Sequence, residues 1–147
     1  MTNRAILLVE DNADDEALTL RALKKNMIVN DVSVARDGAE ALEYLFAYDR
    51  PGVNLPDLIL LDLNLPKVDG LEVLRRIRAD ERTAITPVVL LTSSKEQEDI
   101  VAGYRCGANG YVRKPVKFSD FAEAVRVLGL FWLLLNETAP NFSRRSD

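Results

Sequence analysis

Acidic side chains directly follow two of the most apolar segments of the chain. Glu10 and Asp11 come after AILLV at 5–9, and Asp62 ends the run DLILLD at 57–62. Carboxylates that are brought together repel one another and raise at least one pKa unless a cation lies among them. Oxygen ligands from two loops suit Mg²⁺, which keeps positions open for a phosphate oxygen. With such an ion in place, Asp62 would stay ionised and attack phosphorus, giving an aspartyl phosphate.

Two further polar residues have chemistry that phosphoryl transfer needs. Lys114 would bring a second positive charge to the phosphoryl oxygens, and the hydroxyl of Thr92 would donate a hydrogen bond to one of them. A sharp loop would aim the lysine inward, so the Lys114–Pro115 bond is a candidate cis peptide. Taken singly, these residues have plainer interpretations, such as helix-capping acids, a strand-ending threonine and a solvated lysine. Taken together, the plainer interpretations would have to explain why polar groups follow four strands at the same end of the sheet. A common site explains this arrangement more simply.

The elements that must position these residues alternate between strand and helix. Branched apolar runs at 5–9, 32–35, 57–61, 87–91 and 110–112 predict strands, and each precedes a segment with apolar residues three and four apart. This alternation predicts an α/β fold with a parallel sheet and helices on both faces. We expect a flavodoxin-like doubly wound sheet of five strands, in the order 2-1-3-4-5, with five helices. Its chemistry should lie outside the carboxyl ends of the strands, where the order reverses between strands 1 and 3.

The composition narrows the classes of function. The 147 residues suit one domain, and the absence of histidine excludes Ser-His-Asp and Cys-His catalysis. A net charge of −4 gives no counterion-release force for nucleic acid, and no segment approaches the ~20 apolar residues of a membrane span. Cys106 is the only cysteine, which favours a reducing compartment. We therefore expect a cytoplasmic protein with neither nucleic acid nor membrane as a partner.

The chain resembles the receiver domain of two-component response regulators over about residues 4–130. The motifs that carry the resemblance are VEDN at 9–12, LLDLNLP at 60–66, DG at 69–70, LTS at 91–93 and GYVRKP at 110–115. The resemblance implies that a sensor histidine kinase phosphorylates Asp62 and that Lys114 neutralises charge at the site. It implies that Thr92 and Tyr111 are switch residues, which shift an interaction face on the fourth helix, fifth strand and fifth helix. The implied ligands of Mg²⁺ are Glu10, Asp11, Asp62 and the backbone carbonyl of Asn64.

Two less specific features resemble those of a particular group of receivers. The extended loop before PDLILLDLNLPK at 56–67 and the segment FWLLLN at 131–136 resemble stand-alone receivers that partner bacterial phytochromes, the light-sensing histidine kinases. We expect a receiver domain over residues 4–135 and a polar tail over 136–147, without an output domain. We expect such a regulator to act through contacts, either by docking to another protein or by returning phosphoryl groups along a relay. It assists its own phosphorylation and dephosphorylation, and is not a classical enzyme.

The fifth predicted helix is apolar nearly all round. Beyond its core stripe it carries Val127, Leu130, Phe131 and Leu134. In a small domain, a helix of this kind needs a cover. We expect a homodimer that buries these four residues, and cover by the chain's own tail is the alternative.

Two other groups of polar residues carry weaker expectations. Asn64 and Ser94 stand two positions after Asp62 and Thr92, beside the path of a water that would attack the phosphoaspartate. They are expected to tune the lifetime of the phosphoryl group. The basic run in the third helix is interrupted by acids and is expected to form a solvated face; it comprises Arg75, Arg76, Arg78 and Arg82.

Other functions use part of this pattern. A flavodoxin shares the fold, but its phosphate loop should be rich in hydroxyls and glycine, whereas EDNADD at 10–15 would repel a flavin phosphate. A phosphatase of the haloacid dehalogenase type needs a second aspartate two residues after its nucleophile, where this chain has Asn64. The alternative that stays open is a receiver-shaped binding module that signals by dimerisation or docking, without phosphorylation.

Overall fold

The computed structural model describes residues 5–25, 31–46, 55–92 and 97–114, together with residues 119, 120, 123, 126 and 127. The strands are β1 (Ala5–Val9), β2 (Asp31–Ala35), β3 (Leu58–Leu61), β4 (Val88–Thr92) and β5 (Gly110–Arg113). The helices are α1 (Ala13–Lys25), α2 (Gly38–Phe46), α3 (Gly70–Ala79) and α4 (Gln97–Arg105). Residues 119, 120, 123, 126 and 127 are helical and belong to the predicted fifth helix.

The five strands form one parallel sheet in the order β2-β1-β3-β4-β5, which confirms the predicted topology. β1 pairs on both sides, with Val9 opposite Ala35 of β2 and Leu61 of β3. All four residues of β3 are buried, as expected for a parallel strand covered on both faces. Because β1 and β3 are neighbours, the residues that follow them leave the sheet side by side.

Alternate residues of the central strands enter two separate core layers. On one face, Ile6 and Leu8 of β1 pack with Leu23 of α1. On the other face, Leu7 and Val9 pack with side chains of α2 and α3. A slip of one residue in β1 would exchange the two sets. Packing on both faces therefore fixes the register of β1, and with it the position of the acids that follow.

Side-chain caps fix where three of the helices begin. Asp37 and Asp69 each accept a hydrogen bond from the backbone N–H three residues on, at 2.7 and 3.0 Å. Asp37 and Asp69 are therefore the N-terminal caps of α2 and α3. At α1, the side chain of Asn12 accepts from the backbone N–H of Asp15 at 3.0 Å. The cap of this helix is therefore the asparagine, which leaves the neighbouring acids free for other contacts.

Two arginines of the basic run depart from the expected solvated face of α3. Arg82 lies beyond the end of the helix at Ala79, and its half-buried side chain pairs with Asp80. Arg78 is the other. Arg75 and Arg76 are exposed and pair with Glu72. Arg78 is half-buried and donates, at 2.7 to 3.1 Å, to the carbonyls of Ala84, Thr86 and Gly107 and to Oδ1 of Asn109. These acceptors lie in the loops before β4 and β5. The long side chain of Arg78 therefore joins α3 to the loops before β4 and β5. The helical pattern of the sequence does not predict these contacts.

Most of the predicted dimer face lies outside the described residues. Val127 is described and is 52% exposed. Leu130, Phe131 and Leu134 lie outside the described ranges, as does the tail at 136–147. The homodimer and the boundaries at 4 and 135 thus stay predictions. Over the part of the chain that the structure describes, no helix has the length and apolar character that crossing a membrane requires.

Candidate functional site

Two carboxylates are held at the carboxyl ends of neighbouring strands. The backbone N–H of Glu10 donates to the carbonyl of Ala35 at 2.9 Å, and that of Asp62 donates to the carbonyl of Val9 at 3.1 Å. These bonds extend the sheet one step beyond β1 and β3, so the backbone fixes both acids. Glu10 is 1% exposed and Asp62 is 6% exposed. Buried charges are unfavourable without partners, so each needs donors close by.

Each carboxylate oxygen of Asp62 has a donor. Oδ1 accepts from the backbone N–H of Asn64 at 3.0 Å, and Oδ2 accepts from Nζ of Lys114 at 3.0 Å. The chain then turns back over the acid, and the N–H of Gly70 donates to the carbonyl of Leu63 at 2.9 Å. A Cβ at Gly70 would overlap the carbonyl oxygen of Asp62. Glycine is what lets α3 begin this close to the strand end.

Lys114 lies at the centre of the site and contacts three carboxylates. Its Nζ donates to Oε1 of Glu10, to Oδ2 of Asp15 at 2.9 Å and to Oδ2 of Asp62 at 3.0 Å. An ammonium has three N–H groups, so these contacts use all of them. The lysine side chain is 9% exposed. The predicted charge-neutralising residue is therefore in contact with the predicted phosphoacceptor.

The environment moves two pKa values in the site. Burial raises the pKa of Glu10 to about 7; the Lys114 ammonium opposes this shift, and the Asp62 carboxylate adds to it. Burial alone would lower the pKa of Lys114, but hydrogen bonds to Glu10 and Asp15 and the charge of Asp62 outweigh burial and raise this pKa above its ordinary value. Lys114 thus stays charged, whereas Glu10 titrates close to neutral pH.

Three of the four predicted metal ligands, the carboxylates, come together. One carboxylate oxygen from each of Glu10, Asp11 and Asp62 lies within 4.8 Å of the others. All are hard oxygen donors, the type that Mg²⁺ prefers. Lys114 supplies a single positive charge against this cluster and Asp15, so negative charge is left that a divalent cation would offset. The residues present therefore fit the predicted ion.

The other predicted site residues are described to different extents. Asn64, the expected backbone ligand and tuning residue, is exposed two positions after the predicted phosphoacceptor. Tyr111 of β5 is half-buried and packs against the core layer that faces α2 and α3. Thr92 ends β4 by its backbone, but its side chain is outside the described part. Ser94 and Pro115 also lie outside it, so the switch hydroxyl, the tuning serine and the candidate cis bond stay predictions.

Sequence reasoning missed Asp15. The segment EDNADD at 10–15 looks like the start of a helix, where acids are common for reasons of capping and the helix dipole. A signal was present in the position of Asp15, in the first turn of a helix that starts three residues after Glu10. Side chains in a helix point back toward its N-terminus. Here that direction leads to the strand ends and to Lys114.

This fold and site define a receiver domain. Residues 6–126 match the response regulator receiver domain family, and the chain belongs to that family. A relative, the probable methanogenesis regulatory protein FilR2 of Methanothrix harundinacea, is 41% identical over 133 residues, which cover 90% of this chain and 86% of the relative.

Solved structures of phytochrome response regulators are similar to the chain. The phosphorylated cyanobacterial phytochrome response regulator RcpA is 38% identical with a TM-score of 0.88, covering 95% of this chain and 100% of that one. The Mn²⁺-bound form of response regulator Rcp1 is 36% identical with a TM-score of 0.84, over 93% and 99% of the two chains. The bacteriophytochrome response regulator AtBRR is 51% identical with a TM-score of 0.72, over 93% and 100%. The resemblance to regulators of this group is confirmed.

Proposed function

We propose that the protein is a response regulator that accepts a phosphoryl group from a sensor histidine kinase on Asp62, in an Mg²⁺-dependent reaction. The contact between Asp62 Oδ2 and Lys114 Nζ at 3.0 Å, beside the cluster of Glu10, Asp11 and Asp62, carries this proposal. Phosphoryl transfer depends on positioning and on stabilising charge, and this crevice offers a nucleophile, a fixed cation and oxygen ligands for a metal. RcpA, which has the same fold, is phosphorylated in its solved structure.

Asp62 would act as the nucleophile. The N–H of Asn64 holds one carboxylate oxygen and so orients the group. A carboxylate oxygen forms the new bond to phosphorus, the bond between phosphorus and the leaving group of the donor breaks, and the leaving group keeps the electron pair. Lys114, already within reach, then donates to a phosphoryl oxygen and offsets its charge. Glu10, Asp11 and Asp62 would hold Mg²⁺, which supplies further positive charge to the phosphoryl oxygens.

Phosphorylation would act on the face formed by α4, β5 and the fifth helix. Thr92 would move inward to the phosphoryl group, and Tyr111 would fill the space it leaves, shifting the protein between two existing states. The packing of Tyr111 against the core, close to Gly103 of α4, supports this coupling. Asn64 and Ser94 would tune the lifetime of the phosphoryl group.

A homodimer through the fifth helix belongs to the same proposal, and the 52% exposure of Val127 is its support. The face comprises Val127, Leu130, Phe131 and Leu134. Sedimentation of wild type and Phe131→Glu, with and without phosphorylation, tests it. A wild type that sediments as a monomer in both states would contradict the dimer.

We propose a phytochrome as the kinase, acting in the cytoplasm, with a further protein downstream. Similarity to RcpA and AtBRR supports this partner. FilR2 is named for regulation of methanogenesis, so a direct comparison of kinases is the informative test. Transfer from a phosphorylated phytochrome kinase should be faster than transfer from an unrelated phosphorylated histidine kinase, and equal rates would contradict the partnership.

The central experiment is intact mass after incubation with acetyl phosphate, with and without Mg²⁺. Wild type should gain one phosphoryl group only when Mg²⁺ is present, and Asp62→Asn should gain none. Asp57→Asn is the matched control, because Asp57 precedes the same strand but bonds the backbone N–H of Ala5, away from the site. No adduct on wild type, under conditions that modify a known receiver, would refute the proposal and favour the binding module.

A further inference from the structure

Asp15 contacts the central lysine of the site, although the proposed reaction gives it no part. Its Oδ2 lies 2.9 Å from Lys114 Nζ, as close as the 3.0 Å contact of the phosphoacceptor Asp62. With Glu10 as the third acceptor, every N–H of the ammonium is already used. A phosphoryl oxygen can accept a hydrogen bond from Lys114 only if one of these contacts is given up or shared.

The orientation of Asp15 is not explained by helix capping. In a capping box, the side chain of a Glu or Gln at the third position of the helix, the position of Asp15 in α1, accepts from the N–H of the capping residue. Here the N–H of Asn12 donates to Oε2 of Glu10 at 3.3 Å. The backbone of Asp15 is held from within α1, where its carbonyl accepts from the hydroxyl of Thr19 at 2.8 Å. The carboxylate of Asp15 is therefore directed to Lys114.

The three acceptors differ in how readily they release the lysine. The side chain of Asp15 is 34% exposed, against 1% for Glu10 and 8% for Asp62. Water can solvate the Asp15 carboxylate after it loses the ammonium, whereas the other two would be left buried with one donor fewer. Asp15 is thus the acceptor that can release the ammonium at the lowest cost.

We propose that Asp15 is a positioning residue that holds the Lys114 ammonium before phosphoryl transfer and competes with the incoming phosphoryl group for it. This inference rests on the proposed phosphorylation of Asp62. Asp15 and Asp62 contact the same nitrogen, so their carboxylates lie within about 6 Å of each other, where like charges repel. Both effects act in one direction: Asp15 slows the formation of the phosphoaspartate.

The test compares Asp15→Asn with the matched variant Asp14→Asn. Asp14 is the preceding residue of α1 and is exposed, and its side chain has no hydrogen bond or ion pair with any residue that the structure describes. At saturating Mg²⁺, Asp15→Asn should gain the phosphoryl group from acetyl phosphate about three- to tenfold faster than wild type. This factor corresponds to the loss of one charged hydrogen bond that otherwise holds Lys114. Asp14→Asn should stay within about twofold of wild type. Asp15→Glu, which restores the carboxylate, should return toward the slower rate.

A second measurement needs neither metal nor phosphodonor. In EDTA, the amine of Lys114 should react faster with an acetylating reagent in Asp15→Asn than in wild type or Asp14→Asn, as read by peptide mass. Equal acceleration in both asparagine variants would overturn the proposal in favour of a general charge effect. Unchanged or slower adduct formation in Asp15→Asn would also overturn it. If wild type forms no adduct at all, the proposed function fails, and the labelling of Lys114 still decides whether Asp15 holds the lysine.

Discussion

Arg78→Ala should destabilise the protein strongly, although Arg78 is one of several arginines in a helix whose sequence suggests a solvated basic face. The substitution removes the donors to three backbone carbonyls and to Asn109 Oδ1, at 2.7 to 3.1 Å. A buried acceptor left without its donor costs about 1–3 kcal/mol, and partial exposure of this site lets water replace some of the lost bonds. We expect a loss of about 3 kcal/mol in the free energy of unfolding, or a thermal midpoint about 6–12 °C lower.

Urea unfolding followed by circular dichroism measures this change. Arg75→Ala is the matched control, since Arg75 lies on the same helix, is 55% exposed and pairs with a Glu72 side chain that is 39% exposed. A surface pair of this kind is worth about 0.2–0.5 kcal/mol. Arg78→Lys should recover only part of the loss, because an ammonium cannot span acceptors in two loops. A difference below about 1 kcal/mol between Arg78→Ala and Arg75→Ala would refute the reasoning.

Three further predictions concern Gly107, Asp69 and Glu10. Gly107 has a φ of +103°, and an added Cβ would lie 2.9 Å from Cγ and Nε of Arg78, so Gly107→Ala should destabilise by about 1–3 kcal/mol in urea unfolding. Asp69→Ala removes the cap of α3 and should cost about 1 kcal/mol by the same assay, whereas Asp69→Asn should cost less. Because the pKa of Glu10 is raised to about 7, the folded state binds this proton more tightly than the unfolded chain, and the metal-free protein should lose stability as the pH rises through about 7. Thermal unfolding in EDTA should show that loss in wild type and not in Glu10→Gln, and an equal slope in both would contradict the assignment.

The topology and the main site could be read from the sequence because both depend on local pattern. Alternation of apolar strands with helical periods determines a parallel sheet, and parallel strands bring their carboxyl ends to one edge. Glu10 and Asp62 directly follow strands, so their meeting follows from the order of the strands alone. Lys114 follows β5 in the same way.

The contacts of Asp15 and Arg78 could not be read in this way. Both are helical residues whose partners are distant in the sequence. Asp15 contacts Lys114, 99 positions away, and Arg78 contacts Gly107, 29 positions away. Helical periodicity says which face a residue occupies, but not which group of another element its side chain reaches. The cap of α1 was ambiguous for a related reason, because Asn and Asp are equally good caps and four such residues flank Ala13, namely Asp11, Asn12, Asp14 and Asp15.

The close approach at Gly70 has a consequence for how loss-of-function variants are recognised. This residue carries no side chain, yet any Cβ there would displace the carbonyl oxygen of Asp62, the proposed phosphoacceptor. In a saturation library scored for phosphorylation, alanine at position 70 should be nearly as damaging as tryptophan, since the first carbon does the harm. For the rate at which the adduct forms, the exposed position 64 should accept many residues, because its contact with Asp62 is made by the backbone N–H. Tolerance to substitution around Asp62 is therefore set by the free volume beside the backbone. A list of the side chains that would contact the phosphoryl group would omit Gly70, one of the most sensitive positions.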